Sequence, residues 1–122
     1  MTGFLCVALG GAIGAAGRYA ISLIPVKMEY PILTLVTNIL GAILIGFIVG
    51  MATSHPGMSK NVVLLLKTGV CGGFTTFSTF SLEAVQLLEN KSYVAGGSYM
   101  VLSVVCCLLG IFAGRRIAMV VA

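Results

Sequence analysis

The 122-residue chain is 59% hydrophobic and only 8% charged, with a formal net charge of +4 and a mean hydropathy of +1.14. Soluble domains carry about 25% charged residues, so a soluble fold is excluded and the composition describes an integral membrane protein. At roughly twenty residues per crossing there is room for about four spans and little else, and the positive charge is too dispersed for a nucleic-acid patch, so no nucleic-acid partner is expected.

The first span is predicted over residues 4–24. It has no basic leader, and its apolar stretch is too long and glycine-rich for a cleaved signal peptide. Gly10 and Gly14 are four apart and offer a neighbouring helix one smooth face. Arg18 sits about a turn before the end of the span. It reads either as a snorkelling anchor or as a fixed positive charge at the vestibule of an anion pathway.

A turn from Pro25 to Pro31 leads to a second span over residues 32–52. Its one costly residue is Asn38, close to Thr34 and Thr37. A buried asparagine requires partners, whether as interhelical glue or as part of a pathway. Gly46 and Gly50 give this helix a second small face. The loop carrying His55, Pro56 and Gly57 reads as a surface turn.

The third span, over residues 61–88, is longer than a simple crossing needs. Its surplus length fits an interruption at residues 72–76, within Gly72-Gly73-Phe74-Thr75-Thr76-Phe77-Ser78-Thr79-Phe80-Ser81. Paired glycines and consecutive threonines are poor helix formers. At membrane depth the backbone leaves helical geometry only where protein or a wet cavity satisfies it. Phe77 and Phe80 are one turn apart and share a face, with Ser78, Thr79 and Ser81 around them. Small polar groups and aromatic rings beside a mid-membrane break suit an ion or solute pathway. Lys67 is expected to snorkel outward, and Glu83, one turn beyond Phe80, lies either near the far interface or in the site.

The fourth span is predicted over residues 94–113 and ends before Arg115 and Arg116. Tyr99 and Ser103 are four apart and form a polar line on one face. Cys6, Cys71, Cys106 and Cys107 lie in apolar segments without metal-type spacing and read as small buried hydrophobes. Four spans put both termini on one side. That side carries Lys60, Arg115 and Arg116 near the span ends, and the other carries Lys27 and Lys91. Three against two is almost no orienting bias, so both insertions are open to the chain and an antiparallel two-fold dimer becomes possible.

These residues resemble the Fluc family of fluoride channels, the CrcB-type proteins. The signature is Gly69-Val70-Cys71-Gly72-Gly73-Phe74-Thr75-Thr76-Phe77-Ser78-Thr79-Phe80-Ser81, supported by Gly14-Ala15-Ala16-Gly17-Arg18-Tyr19 and Thr34-Leu35-Val36-Thr37-Asn38-Ile39-Leu40-Gly41. The chain departs from the usual pattern at Leu33, where a glycine is common, and at Thr37, where an apolar residue usually precedes the asparagine. The resemblance implies an all-α membrane protein of four helices, the third broken near its middle. It also implies a dual-topology antiparallel homodimer with two pores, passively exporting cytoplasmic fluoride across the bacterial plasma (inner) membrane. By the same resemblance Phe77 and Phe80 present ring edges to the anion, Asn38 donates a hydrogen bond, and Ser78, Thr79, Tyr99 and Ser103 extend the polar track. A structural sodium ion at the dimer axis is expected on the backbone carbonyls of Gly72 and Thr75 from both copies.

Elementary chemistry agrees with these roles. Fluoride is small and strongly hydrated, so a dry pore must replace its water with donors such as amides and hydroxyls. A phenyl ring offers a positive edge without a competing acceptor. Carbonyls freed by a break suit a hard cation. No nucleotide-binding glycine loop is present, which favours passive conduction over ATP-coupled transport, and no enzymatic activity is expected. A small four-span proton-coupled multidrug exporter is the alternative, but it needs an intramembrane carboxylate, and the first two spans contain none. A non-conducting assembly subunit would account for the glycine faces and leave the threonine–phenylalanine cluster unexplained.

Overall fold

The computed structural model describes all residues, 1–122, as a bundle of helices. Helix α1 spans Thr2–Ser22 and α2 spans Ile32–Ser54. The third crossing is composite: α3 (Lys60–Val63), a π-helical segment (Leu64–Cys71), α4 (Gly72–Phe74) and α5 (Phe77–Glu89). Helix α6 runs from Tyr93 to Val121. Four stretches, Thr2–Ser22, Ile32–Ser54, Lys60–Glu89 and Tyr93–Val121, are long and apolar enough to cross a membrane. Only 18 of 122 residues are buried, and Phe4, Leu9, Val101 and Phe112 are among the exposed large hydrophobics. That outward-facing apolar surface is the reverse of a soluble bundle and suits a lipid surround.

Two seams organise the packing. Helix α1 lies against the π-helical segment and α4, and α2 lies against α6. Both seams bring backbone onto backbone. A Cβ on Gly14 would collide with the Val70 carbonyl, and one on Gly114 with the Ile43 carbonyl. Removing side chains at the contact lets helices approach closely, and dispersion across that contact replaces a hydrophobic driving force that lipid cannot supply. A small core of Leu35, Ala84, Leu87 and Tyr99 joins α2, α5 and α6.

Helix α5 ends where Lys91 takes φ 60°. Its N–H bonds the Leu88 carbonyl at 3.0 Å and the Ser92 N–H bonds the Leu87 carbonyl at 2.9 Å. This is a Schellman closure, which satisfies carbonyls otherwise left open at a helix end. Ser92 Oγ then donates to Glu29 Oε1 at 2.8 Å, tying together the two loops at that end of the bundle.

Two expectations are corrected. Gly72 and Gly73 are helical, with Gly72 at φ −62° and ψ −39°, so the non-helical residues are not the glycines. A Cβ on Gly73 would stand 2.5 Å from the Gly11 carbonyl oxygen, so this glycine serves close packing against α1. Helix α6 also continues past Arg115 and Arg116 to Val121. Arginine is a good helix former, so the charges limit how far the chain sits in lipid without ending the helix.

Candidate functional site

Between α4 and α5, Thr75 (φ −86°, ψ 156°) and Thr76 (φ −145°, ψ 120°) are extended. Extended residues within a crossing lose helical partners, and the bonds made here show how the chain compensates. The Thr76 N–H donates to Asn38 Oδ1 at 2.9 Å, and Asn38 Nδ2 donates back to the Thr76 carbonyl at 3.1 Å. One side-chain amide thus stands in for a strand partner, with both of its ends used. Thr76 Oγ1 accepts from the Thr79 N–H at 3.1 Å and caps α5. Thr75 Oγ1 donates to the Cys71 carbonyl at 2.9 Å. Arg18 Nε reaches from α1 to the Gly73 carbonyl at 3.1 Å. The Thr75 carbonyl accepts no hydrogen bond.

A cavity lies on either side of this linker. The larger, about 380 Å³, runs between α2, the first half of the third crossing and α6, and its lining includes Asn38, Thr75, Phe77, Phe80 and Ser103. It extends along Cys107 and Ile111, one and two turns beyond Ser103, toward the end of the bundle that carries the termini. The smaller, about 100 Å³, is lined by Arg18, Tyr19, Ser22, Leu33 and the hydroxyl residues Thr34, Thr37, Thr76 and Thr79. Arg18 and Ser22 end α1 while Leu33 and Thr34 begin α2, so this cavity occupies the opposite half. Thr76 lines both.

Aromatic rings continue the wall of the larger cavity. Phe77 and Phe80 have centroids 5.7 Å apart at 44°, and Phe80 and Tyr99 lie 5.2 Å apart at 50°. Tyr30 meets Tyr99 edge-on at 5.7 Å. Phe80 is half-buried by this stacking, while Phe77 is 79% exposed and projects from the single chain. Tyr99 is fully buried and its hydroxyl donates to Glu83 Oε1 at 3.3 Å, which gives the undecided Glu83 a place beside the aromatic row. Ser103 is buried, yet its Oγ finds no partner.

The residues singled out from sequence therefore fall into distinct places. Asn38, Gly72, Thr75, Phe77, Phe80 and Ser103 meet at the larger cavity. Arg18 and Thr79 meet at the smaller one. Tyr99 lies behind Phe80, and Ser78 is exposed in the first turn of α5. Thr76, which connects everything at the linker, was legible only as part of a poorly helical pair. Lys67, expected to snorkel away, lines the larger cavity. No cluster of three His, Cys, Asp or Glu side chains that could hold a metal ion is present.

Comparison with known proteins gives one consistent answer. The family model described as CrcB-like protein, Camphor Resistance (CrcB), matches residues 5–115. A protein of Ruminiclostridium cellulolyticum named fluoride-specific ion channel FluC is 43% identical, the alignment covering 100% of this chain and 96% of the relative. Its namesake in Clostridium perfringens is 43% identical over 93% of this chain and 91% of its own length. The one in Methanococcus maripaludis is 40% identical over 98% of both. With the family pattern running through all four crossings, the linker and both cavities, this multi-pass membrane protein belongs to the CrcB-like family.

Proposed function

We propose that the chain is a fluoride-selective channel, conducting passively and exporting cytoplasmic fluoride through the bacterial plasma membrane. The observation that carries this reading is the meeting of two cavities at Thr76, each with donors or ring edges suited to a small anion and neither with a carboxylate in its lining. Such a route conducts without catalysing a reaction, and its relatives bear the name of an ion channel. The second N–H of the Asn38 amide remains for an anion after Thr76 has taken the first. The unpartnered Ser103 hydroxyl is a further donor on the same cavity. Phe77 and Phe80 supply positive ring edges. Thr79 and Ser78 stand at the N-terminal, partially positive end of α5. Tyr99 backs the Phe80 ring from behind, its hydroxyl being engaged by Glu83.

The functional unit in this reading is an antiparallel homodimer with two pores, the third crossing of each copy being broken at the linker. Support comes from the near balance of basic residues between the two sides and from the exposure of Phe77, a ring that would line a pathway only with a second surface over it. The sodium ion belongs to the same proposal. The Thr75 carbonyl is free, and a Cβ at Gly72 would meet nothing within 4 Å, which leaves room for a second copy. Bound there, sodium supplies a fixed positive charge that offsets the cost of bringing an anion into a low-dielectric centre.

The test is fluoride efflux from liposomes containing only this protein, with chloride efflux as control. Fluoride release without chloride release is the expected result, and loss of fluoride release in Phe80→Ala at unchanged dimer content would place that ring on the route. Equal release of both anions would overturn the selectivity. Rigorous removal of sodium should weaken the dimer or silence the flux without any coupled sodium transport.

A further inference from the structure

Each cavity has one cation in its lining, and the two cations are held differently. Arg18 in the smaller cavity is anchored by its bond to the Gly73 carbonyl. Lys67 is the one charged residue lining the larger cavity, it is exposed, and no carboxylate lines that cavity with it. It lies eight residues before Thr75 on the first half of the third crossing, toward the end of the bundle that carries the termini. The walls between its position and the linker are largely apolar, with Cys107, Ile111 and Ile45 on the facing helices. A low-dielectric groove lined by a single sign of charge focuses the field of that charge along its length. At the inner end waits the buried Ser103 hydroxyl with no partner in the chain.

We propose that Lys67 is a positioning residue for anion entry: it concentrates fluoride in the larger cavity and feeds it toward Ser103 and the linker. The inference rests on the channel reading above. It makes the two approaches to Thr76 electrostatically alike although they share no side chains but Thr76. An anchored arginine serves one half, and an exposed lysine on a different helix serves the other. The lysine's job is to raise the local anion concentration, so its effect must depend on ionic strength, whereas a packing role would not.

The experiment measures fluoride flux from liposomes carrying wild type, Lys67→Gln, Lys67→Arg or Lys67→Glu at equal amounts of dimer, in low salt and in about 1 M of a bulky impermeant salt. Screening shrinks from roughly 30 Å at 0.01 M to roughly 3 Å at 1 M. At low salt Lys67→Gln should lose roughly threefold of the wild-type flux, the Boltzmann factor of one charge about 7 Å away in water. Lys67→Arg should keep it, Lys67→Glu should lose more, and all four should converge at high salt. If wild type conducts no fluoride, the channel reading itself fails. If wild type conducts and Lys67→Gln matches it at low salt, or if its deficit persists unchanged at high salt, the role assigned to Lys67 is wrong. Should Lys67→Gln yield no dimer, the comparison of Lys67→Arg with Lys67→Glu decides on the same terms.

Discussion

The two halves of the third crossing are held against their neighbours by opposite means. In the first half, the π-helical segment and α4 meet α1 through glycines, and the contact exists because side chains are missing. In the second half, the linker and α5 are held by specific side chains: the Asn38 amide, the Thr76 hydroxyl and the stacked Phe80 and Tyr99 rings. The difference shows how a membrane protein stabilises regular and irregular backbone. A helix already satisfies its own polar groups and needs only to approach closely. An extended pair of residues must borrow partners from elsewhere, and each partner is irreplaceable in kind as well as in size.

The largest effect should come from breaking the first half. Gly14→Val puts a branched side chain against the Val70 carbonyl and the Phe74 N–H region, where the obstacle is backbone and cannot swing aside. The cost should exceed the ~1–3 kcal/mol usual for overpacking, read as loss of the monodisperse folded protein in detergent. Gly14→Ala at wild-type stability would show that the seam has slack.

Next in size is the second half. Asn38→Ala leaves the Thr76 N–H and carbonyl unpaired, at about 1–3 kcal/mol for each buried group. The thermal midpoint should fall, and backbone amide exchange at Thr76 should rise. Asn38→Asp tests the clasp more finely. An ionised aspartate keeps the acceptor for the Thr76 N–H but sets an oxygen against its carbonyl, so it should also destabilise.

A smaller change separates the cap from the clasp. Thr76→Val retains shape but loses the bond to the Thr79 N–H, at about 1 kcal/mol, and Thr76→Ser should restore most of it. An unchanged midpoint in Thr76→Val would remove the cap from the account. The smallest effect, and one of opposite sign, is expected at the far end of α5. Lys91→Gly relieves a left-handed residue and should stabilise by up to about 1 kcal/mol, seen as a modest rise in the thermal midpoint.

The contrast between the halves also explains what the sequence could and could not disclose. Hydropathy marks four crossings because each helix is apolar on nearly all sides, and the helix ends fall within two residues of the expected ones except at α6, which runs on to Val121. The non-helical residues were harder to place. Intrinsic propensity points to Gly72 and Gly73 as strongly as to the threonines, but Gly73 packs on Gly11 and stays helical, while Asn38 rewards Thr76 for being extended. That reward comes from 38 positions away, and the Arg18 bond to Gly73 from 55. Neither is a local signal. The surplus length of the third crossing points to the interruption at residues 72–76, and nothing in the sequence marks the π-helical turns of Leu64–Cys71. Lys67 is exposed, as snorkelling requires, but its place beside a cavity depends on α2 and α6, which distance along its own helix does not report.

The π-helical segment has a bearing on how this chain tolerates changes of length. Each of its turns closes one residue later than in an α-helix, so Leu64–Cys71 holds spare chain that the other crossings do not possess. Deleting a residue from α2 or α6 would swing everything beyond it by about 100° and turn the wrong faces inward. Deleting one from Leu64–Cys71 can instead be absorbed by tightening a wide turn to an ordinary one. Length variation should therefore be survivable there first, provided that Leu65, Gly69 and Val70 keep their places against Gly10 and Gly14 of α1.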